Sequence, residues 1–198
     1  MIVYVETNFV LELALEQEQH AACRSILAWG ETGAVSLVIP AFSIAEPYQT
    51  LFRRFSDRKE LHRRLSGELG LLGRTQSYQV NIAAMRELSD LLLTSQADAS
   101  SRLRSAVDSI LAVAEVIPLD LNVIGQASTY PYGLDLFDEL VFASVSTHIS
   151  KASGEKCFLT RNSRDFSAPE LVHFLHSHDC RIFYDFDDAS GYIAAQSR

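Results

Sequence analysis

The chain has 198 residues, 47% of them hydrophobic, enough for one well-cored domain with one active site and short for two. No apolar run approaches the roughly 18 residues of a membrane helix and no basic leader precedes Glu6, so a cytoplasmic protein is expected, with no membrane partner and no secretory signal. A net charge of −8 disfavours a polyanionic partner, but it is uneven: residues 53–104 hold ten Lys and Arg against six acids, net +4, and the rest seven against nineteen, net −12.

Ile2-Val3-Tyr4-Val5 is a β-branched run expected to form a buried strand that Glu6-Thr7-Asn8 interrupts. A helix follows, with Phe9, Val10, Leu13 and Ala14 at helical spacing and Thr7 or Asn8 as its cap. Residues 19–30 form a second helix, and Val35 to Ile39 a second strand stopped by Pro40. Ser43 and Glu46 have the spacing of a capping box, which opens a helix running through Leu51 and Phe52. The proline-free stretch that follows reads as two to four helices, broken near Gly67, Gly70 and Gly73 and around Ser95 to Ser101. Val116 to Leu119 is a short strand, a helix reaches about Ser128, and Pro131-Tyr132-Gly133 turns the chain. Leu134, Phe137, Val141, Val145 and His148 share a helical face over 135–150. Cys157 to Thr160 is a strand, 168–177 a helix and Arg181 to Tyr184 the last strand. Strands separated by helices predict an α/β domain over 1–198: a small, mainly parallel sheet flanked by helices, with a helical elaboration at about 56–115.

Open parallel sheets bind ligands beyond the carboxyl ends of their strands. Glu6 and Asp165 follow strands, and Glu46 and Asp138 sit in first turns of helices, so the four can converge at one edge. Clustered carboxylates repel unless a cation sits among them, which makes Mg²⁺ or Mn²⁺ the natural resident. Each acid also has a structural reading: Glu46 in its capping box, Asp138 three residues after a possible Asp135 cap, Asp165 as a cap before Phe166. Glu6 is the hardest to explain in that way, because a carboxylate directly after a buried strand is costly to desolvate.

The four acids stand in motifs that resemble those of the PIN-domain family. Strand-Glu6-Thr7-Asn8 resembles the family's opening strand-Asp-Thr/Ser-Asn; Glu46 stands where its second acid opens a helix; Leu136-Phe137-Asp138-Glu139-Leu140-Val141-Phe142-Ala143 resembles its third-acid helix. Leu159-Thr160-Arg161-Asn162-Ser163-Arg164-Asp165-Phe166 resembles the fourth motif. The order is that of the family, and the resemblance covers the chain apart from about 56–115. The resemblance implies a PIN-like three-layer fold and, as in VapC-like metal-dependent ribonucleases, hydrolysis of RNA phosphodiester bonds with Mg²⁺ or Mn²⁺. It implies Glu6 and Asp138 as principal ligands, with Glu46 and Asp165 completing the site, and Thr7, Asn8, Thr160 and Asn162 as hydrogen-bonding support. RNA, a protein antitoxin and a second copy of the chain are the partners it implies. The first acid here is Glu6 where the family usually has Asp, Asn162 stands where some members carry Asp, and the middle helices exceed a minimal PIN toxin. Two rival functions follow: a PIN-like module that binds RNA or protein without cutting, and a metal-dependent phosphohydrolase of small molecules.

Arg53, Arg54, Arg58, Lys59, Arg63 and Arg64 recur at helical intervals, either as a phosphate-tracking surface or as a solvated face paired with acids. Phe52 and Phe55 beside them are expected in the core. Glu12 is expected on a solvated helix face, although one turn from Asn8 it could reach the same pocket; Asp135 and Glu139 read as bystanders. His173, His176 and His178 lack a third spaced ligand and read as surface or packing residues, Asp185, Asp187 and Asp188 as a solvated acidic tail, and Cys23, Cys157 and Cys180 as buried thiols.

Overall fold

A computed structural model describes residues 1–129 and 133–196, with Val80 described by its backbone alone. Five strands, β1 (Ile2–Val5), β2 (Ser36–Pro40), β3 (Glu115–Ile117), β4 (Lys156–Leu159) and β5 (Cys180–Phe183), form one sheet in the order β3-β2-β1-β4-β5. Every neighbouring pair is parallel. β1 and β4 are buried almost throughout, which fits their continuous apolar runs, because helices cover both faces of such a sheet. The mainly parallel sheet and the three layers are as the sequence predicts.

Val3 and Val5 point to one face, where they pack with Phe9, Val10, Ile26, Leu103, Ile110 and Phe186. Tyr4 points to the other, against Val141, Phe142, Val145, Phe158 and Leu171. The first layer is built by α1 (Thr7–Leu15), α2 (His20–Glu31) and α9 (Phe186–Gln196) with the sheet-proximal parts of α3 (Ala41–Leu72) and α4 (Gln79–Leu111). α6 (Leu136–Ile149) and α8 (Pro169–Ser177) lead the second, with α5 (Leu121–Ala127) beside α6 and the short α7 (Ser163–Phe166) next to β4. All three cysteines are buried and free, as expected.

Several local expectations need correction. Glu6, and not Thr7 or Asn8, caps α1, its carboxylate accepting the Asn8 backbone N–H at 2.9 Å. α3 begins at Ala41, ahead of Ser43, so no capping box forms; the Ser43 hydroxyl is buried without a partner, and Glu46 lies in the second turn just before Pro47. Gly67 and Gly70 sit inside α3, and Ser95 to Ser101 inside α4, so the middle is two helices of 32 and 33 residues joined by a 3₁₀ turn at Gln76–Tyr78. Phe52 is 76% exposed, whereas Phe55 packs on the core. The acidic tail is a helix: Asp185 accepts the N–H groups of Asp187 and Asp188, and Phe186, Ala189 and Ile193 of α9 enter the core. Glu12 is 2% exposed and pairs with Arg161, which excludes both the solvated and the pocket reading. The turn predicted at Pro131-Tyr132-Gly133 has its first two residues outside the described residues. His178 hydrogen-bonds the Phe174 carbonyl and approaches the Ser177 hydroxyl, a packing role consistent with the sequence reading.

Candidate active site

The chain leaves β1 on one side of the sheet centre for β2 and β3, then returns to place β4 and β5 on the other. The carboxyl ends of β1 and β4 therefore flank the point where the strand order reverses, the usual ligand crevice of an open parallel sheet. A cavity of about 300 Å³ opens there, and Glu6, Glu46, Asp138 and Asp165 all line it, together with Thr7, Asn8, Asn162, Arg53 and Arg54. Four acids separated by as much as 159 positions in the chain thus face one space.

Each acid is carried by a different device. Glu6 ends β1 and caps α1, which leaves its other oxygen, Oε1, buried with no hydrogen-bond partner. Burial is the main reason its pKa rises to about 7, opposed by the Asn8 backbone N–H and the nearby polar side chains of Asn8 and Thr160, and reinforced by Glu46. Glu46 accepts the Thr7 hydroxyl. Asp138, in the first turn of α6, accepts Asn162 Nδ2 at 3.1 Å. Its pKa also rises to about 7, first through burial, then through the charges of Asp135, Asp165 and Glu46, with the Asn162 hydrogen bond opposing. Asn162 caps α7, its Oδ1 accepting the Asp165 N–H, while its own N–H is accepted by the buried Thr160 hydroxyl at 3.0 Å. Asp165 is consequently a capped residue, not the cap.

Burial is the larger cause of both shifts, and the neighbouring carboxylates add to it as like charges: Glu46 on Glu6, and Asp135, Asp165 and Glu46 on Asp138. Among the described residues no three acids, histidines or cysteines are drawn together tightly enough to hold a metal as they stand. The hydrogen bonds of Glu6, Glu46 and Asp138 run to Asn8, Thr7 and Asn162. The donor set still fits a hard divalent ion: oxygen ligands only, one of them a buried oxygen lacking any partner.

A family model described as the PIN domain matches residues 3–166. The chain belongs to the PIN-domain family. No curated protein and no solved structure matches it significantly. PIN domains are nuclease-type domains that generally use Mg²⁺ or Mn²⁺, and the cavity of this PIN domain has the composition such chemistry needs.

Other residues are placed less evenly. Arg53 and Arg54 reach the cavity, being seven and eight positions after Glu46 on one face of α3. Arg58 instead donates to Ser95 on α4 at 3.2 Å, and Arg63 pairs with Glu60 at 2.7 Å on the solvated face. Lys59 and Arg64 are exposed further out along α3. The basic run is thus split between the two readings it allowed. Leu11 and Thr50, which the sequence does not single out, also line the cavity, as do Phe137 and Asp135. Asp135 is more than a bystander: it caps α6, accepting the N–H groups of Phe137 and Asp138 at 2.9 and 3.0 Å, and is the largest single charge acting on Asp138. The cap is the one expected from its position three residues before Asp138; its charge on Asp138 is the part the sequence does not show. Among the described residues, no helix is long and apolar enough to cross a membrane.

Proposed function

We propose that this PIN domain is a metal-dependent ribonuclease, an endonuclease of the VapC-like kind, that hydrolyses RNA phosphodiester bonds at the cavity between β1 and β4. The observation that carries this reading is the meeting of Glu6, Glu46, Asp138 and Asp165 on one cavity, with Glu6 Oε1 buried and without a hydrogen-bond partner. Glu6 and Asp138 would hold the cation, with Glu46 and Asp165 completing its surroundings, and Thr7, Asn8, Thr160 and Asn162 fixing the carboxylates. A divalent cation supplies Lewis acidity that activates water and offsets the charge developing on the phosphate. Arg53 and Arg54 supply positive charge at the same wall, where a phosphate backbone would lie. Phe137 lines the cavity and is 43% exposed; one face of its ring stacks on Phe42, and an unstacked base would use the other. Cytoplasmic location and restraint by a protein antitoxin belong to the same proposal.

Thermal unfolding and cleavage assays test it together. Mn²⁺ stabilises the wild type and not Asp138→Asn, because binding to the native state alone shifts unfolding. The wild type cleaves a short single-stranded RNA, and Asp138→Asn loses more than about 100-fold of that rate, the upper range for disturbing even a ligand's outer partner. RNA binding without cleavage in Mn²⁺ would mean a non-cutting module, and hydrolysis of nitrophenyl phosphate in place of RNA a small-molecule phosphohydrolase; either result rejects the proposal.

A further inference from the structure

Glu12 is a carboxylate where the fold has no need of one. α1 is buried nearly all round, and Glu12 lies on it between Leu11 and Leu13 with 2% of its surface exposed. Both of its oxygens are engaged: Oε2 accepts the Gln19 backbone N–H at 3.0 Å, and Oε1 accepts Arg161 Nη1. Glu18 also approaches Arg161, at 3.4 Å, but it is 85% exposed, where solvent screens the attraction. Glu12 is therefore the anchor of Arg161. A buried ion pair is a weak stabiliser, since two apolar side chains of similar volume often pack at least as well. What a charge-assisted hydrogen bond adds is a fixed direction.

Arg161 stands between the two residues that shape the turn after β4. The buried Thr160 hydroxyl accepts the Asn162 N–H at 3.0 Å. Asn162 then reaches two of the four acids: its Nδ2 donates to Asp138 at 3.1 Å, and its Oδ1 accepts the Asp165 N–H at 3.4 Å. Arg161 is not among the residues lining the acid cavity; its side chain goes to α1 instead. The turn is thus held twice, by Thr160 from within and by Glu12 through Arg161. Glu6 caps the same α1, six residues before Glu12 and about 9 Å away along the helix axis. One helix therefore sets the acid of β1 and, through Arg161, the turn that carries Asn162.

We propose, on the nuclease reading of the cavity, that Glu12 is a positioning residue: through Arg161 it fixes the turn from which Asn162 holds Asp138 and Asp165. A merely structural role would be shared by its neighbour Gln19. The Gln19 Oε1 accepts the Phe186 N–H at 2.9 Å and its Nε2 donates to Asp185, bonds that lead to α9 and not to the turn.

Three variants of the full chain separate the two roles: Glu12→Gln, Arg161→Ala, which breaks the same link from its partly exposed side, and Gln19→Ala, which spares the backbone N–H that Glu12 accepts. Without metal, NMR of the Asn162 side-chain amide shows its signals displaced in Glu12→Gln and in Arg161→Ala and unmoved in Gln19→Ala, although Gln19→Ala also melts at a lower temperature. With Mn²⁺ and RNA, Glu12→Gln loses about tenfold in kcat, the lower range for disturbing an outer partner of a metal ligand, at unchanged KM. The double variant Glu12→Gln with Arg161→Ala falls no further than the worse single one, because both break one link. Should either single variant fail to fold, the other is compared with Gln19→Ala. Asn162 signals that stay in place, signals displaced equally by Gln19→Ala, or losses that multiply in the double variant overturn the proposal. A wild type that cuts no RNA ends the nuclease reading instead, and the metal-free Asn162 signals still decide whether Glu12 positions the turn.

Discussion

Glu6 concentrates the chemistry of the site in one side chain. Its position after a buried strand identified it in the sequence, since a carboxylate there has to be compensated; one oxygen is compensated by the Asn8 N–H and the other is not. Glu46 and Asp138 were legible only as a set, because each alone also suited a helix start. Asp135 is legible as the cap but not as a charge acting on Asp138, because the two look identical in a sequence. The raised pKa values of Glu6 and Asp138 have a measurable consequence. Both carboxyls titrate near 7 in the metal-free native state, against ordinary values of 4.5 and 3.8. Between those ordinary values and about 7 the native state holds protons that the unfolded chain has released, so their contribution to stability falls as pH rises through that window and levels off above it. Denaturant unfolding in EDTA between pH 5 and 8 checks the sign. Mn²⁺ affinity runs the other way, strengthening as pH rises to about 7, by up to roughly tenfold per pH unit for each proton displaced.

At the scale of elements, the strands were the most readable, since buried parallel strands are short apolar runs bounded by turns. Helix ends were less so. Ser43 and Glu46 match a capping box, but the chain already turns helical at Ala41, directly after β2, and this tertiary connection overrides the local signal. Gly67 and Gly70 were read as breaks, yet a Cβ at either would meet nothing within 4 Å, and α3 runs through both, paired along its length with α4. α9 was missed because three aspartates near its start resemble a solvated tail, whereas Asp185 is its cap. The α4 helix changes character along its length. Leu103 is 1% exposed in the main core, whereas Leu93 is 38% exposed on the outer hairpin. Leu103→Ala therefore costs about 2–5 kcal/mol and Leu93→Ala under about 1 kcal/mol, a contrast that urea unfolding of the two variants measures.

The whole molecule separates its charge as the sequence suggests: the carboxylates converge at the sheet edge while the cations of α3 lead away from it. Only part of the basic run reaches the cavity, because Arg58 and Arg63 are engaged by Ser95 and Glu60. Arg53→Ala and Arg54→Ala should each reduce the slope of log RNA affinity against log salt by about 1, uniformly across sequences, whereas Arg63→Ala should leave it unchanged. The PIN-domain match over 3–166 and the five-stranded parallel sheet agree about how the chain is built, and the site inherits its geometry from the reversal of strand order between β1 and β4. Anomalous diffraction from crystals soaked in Mn²⁺ probes the site most directly. A peak inside the cavity, within coordination distance of Glu6 and Asp138 and absent in Asp138→Asn, is the expected result; a cavity without manganese, or manganese bound only elsewhere, would contradict it.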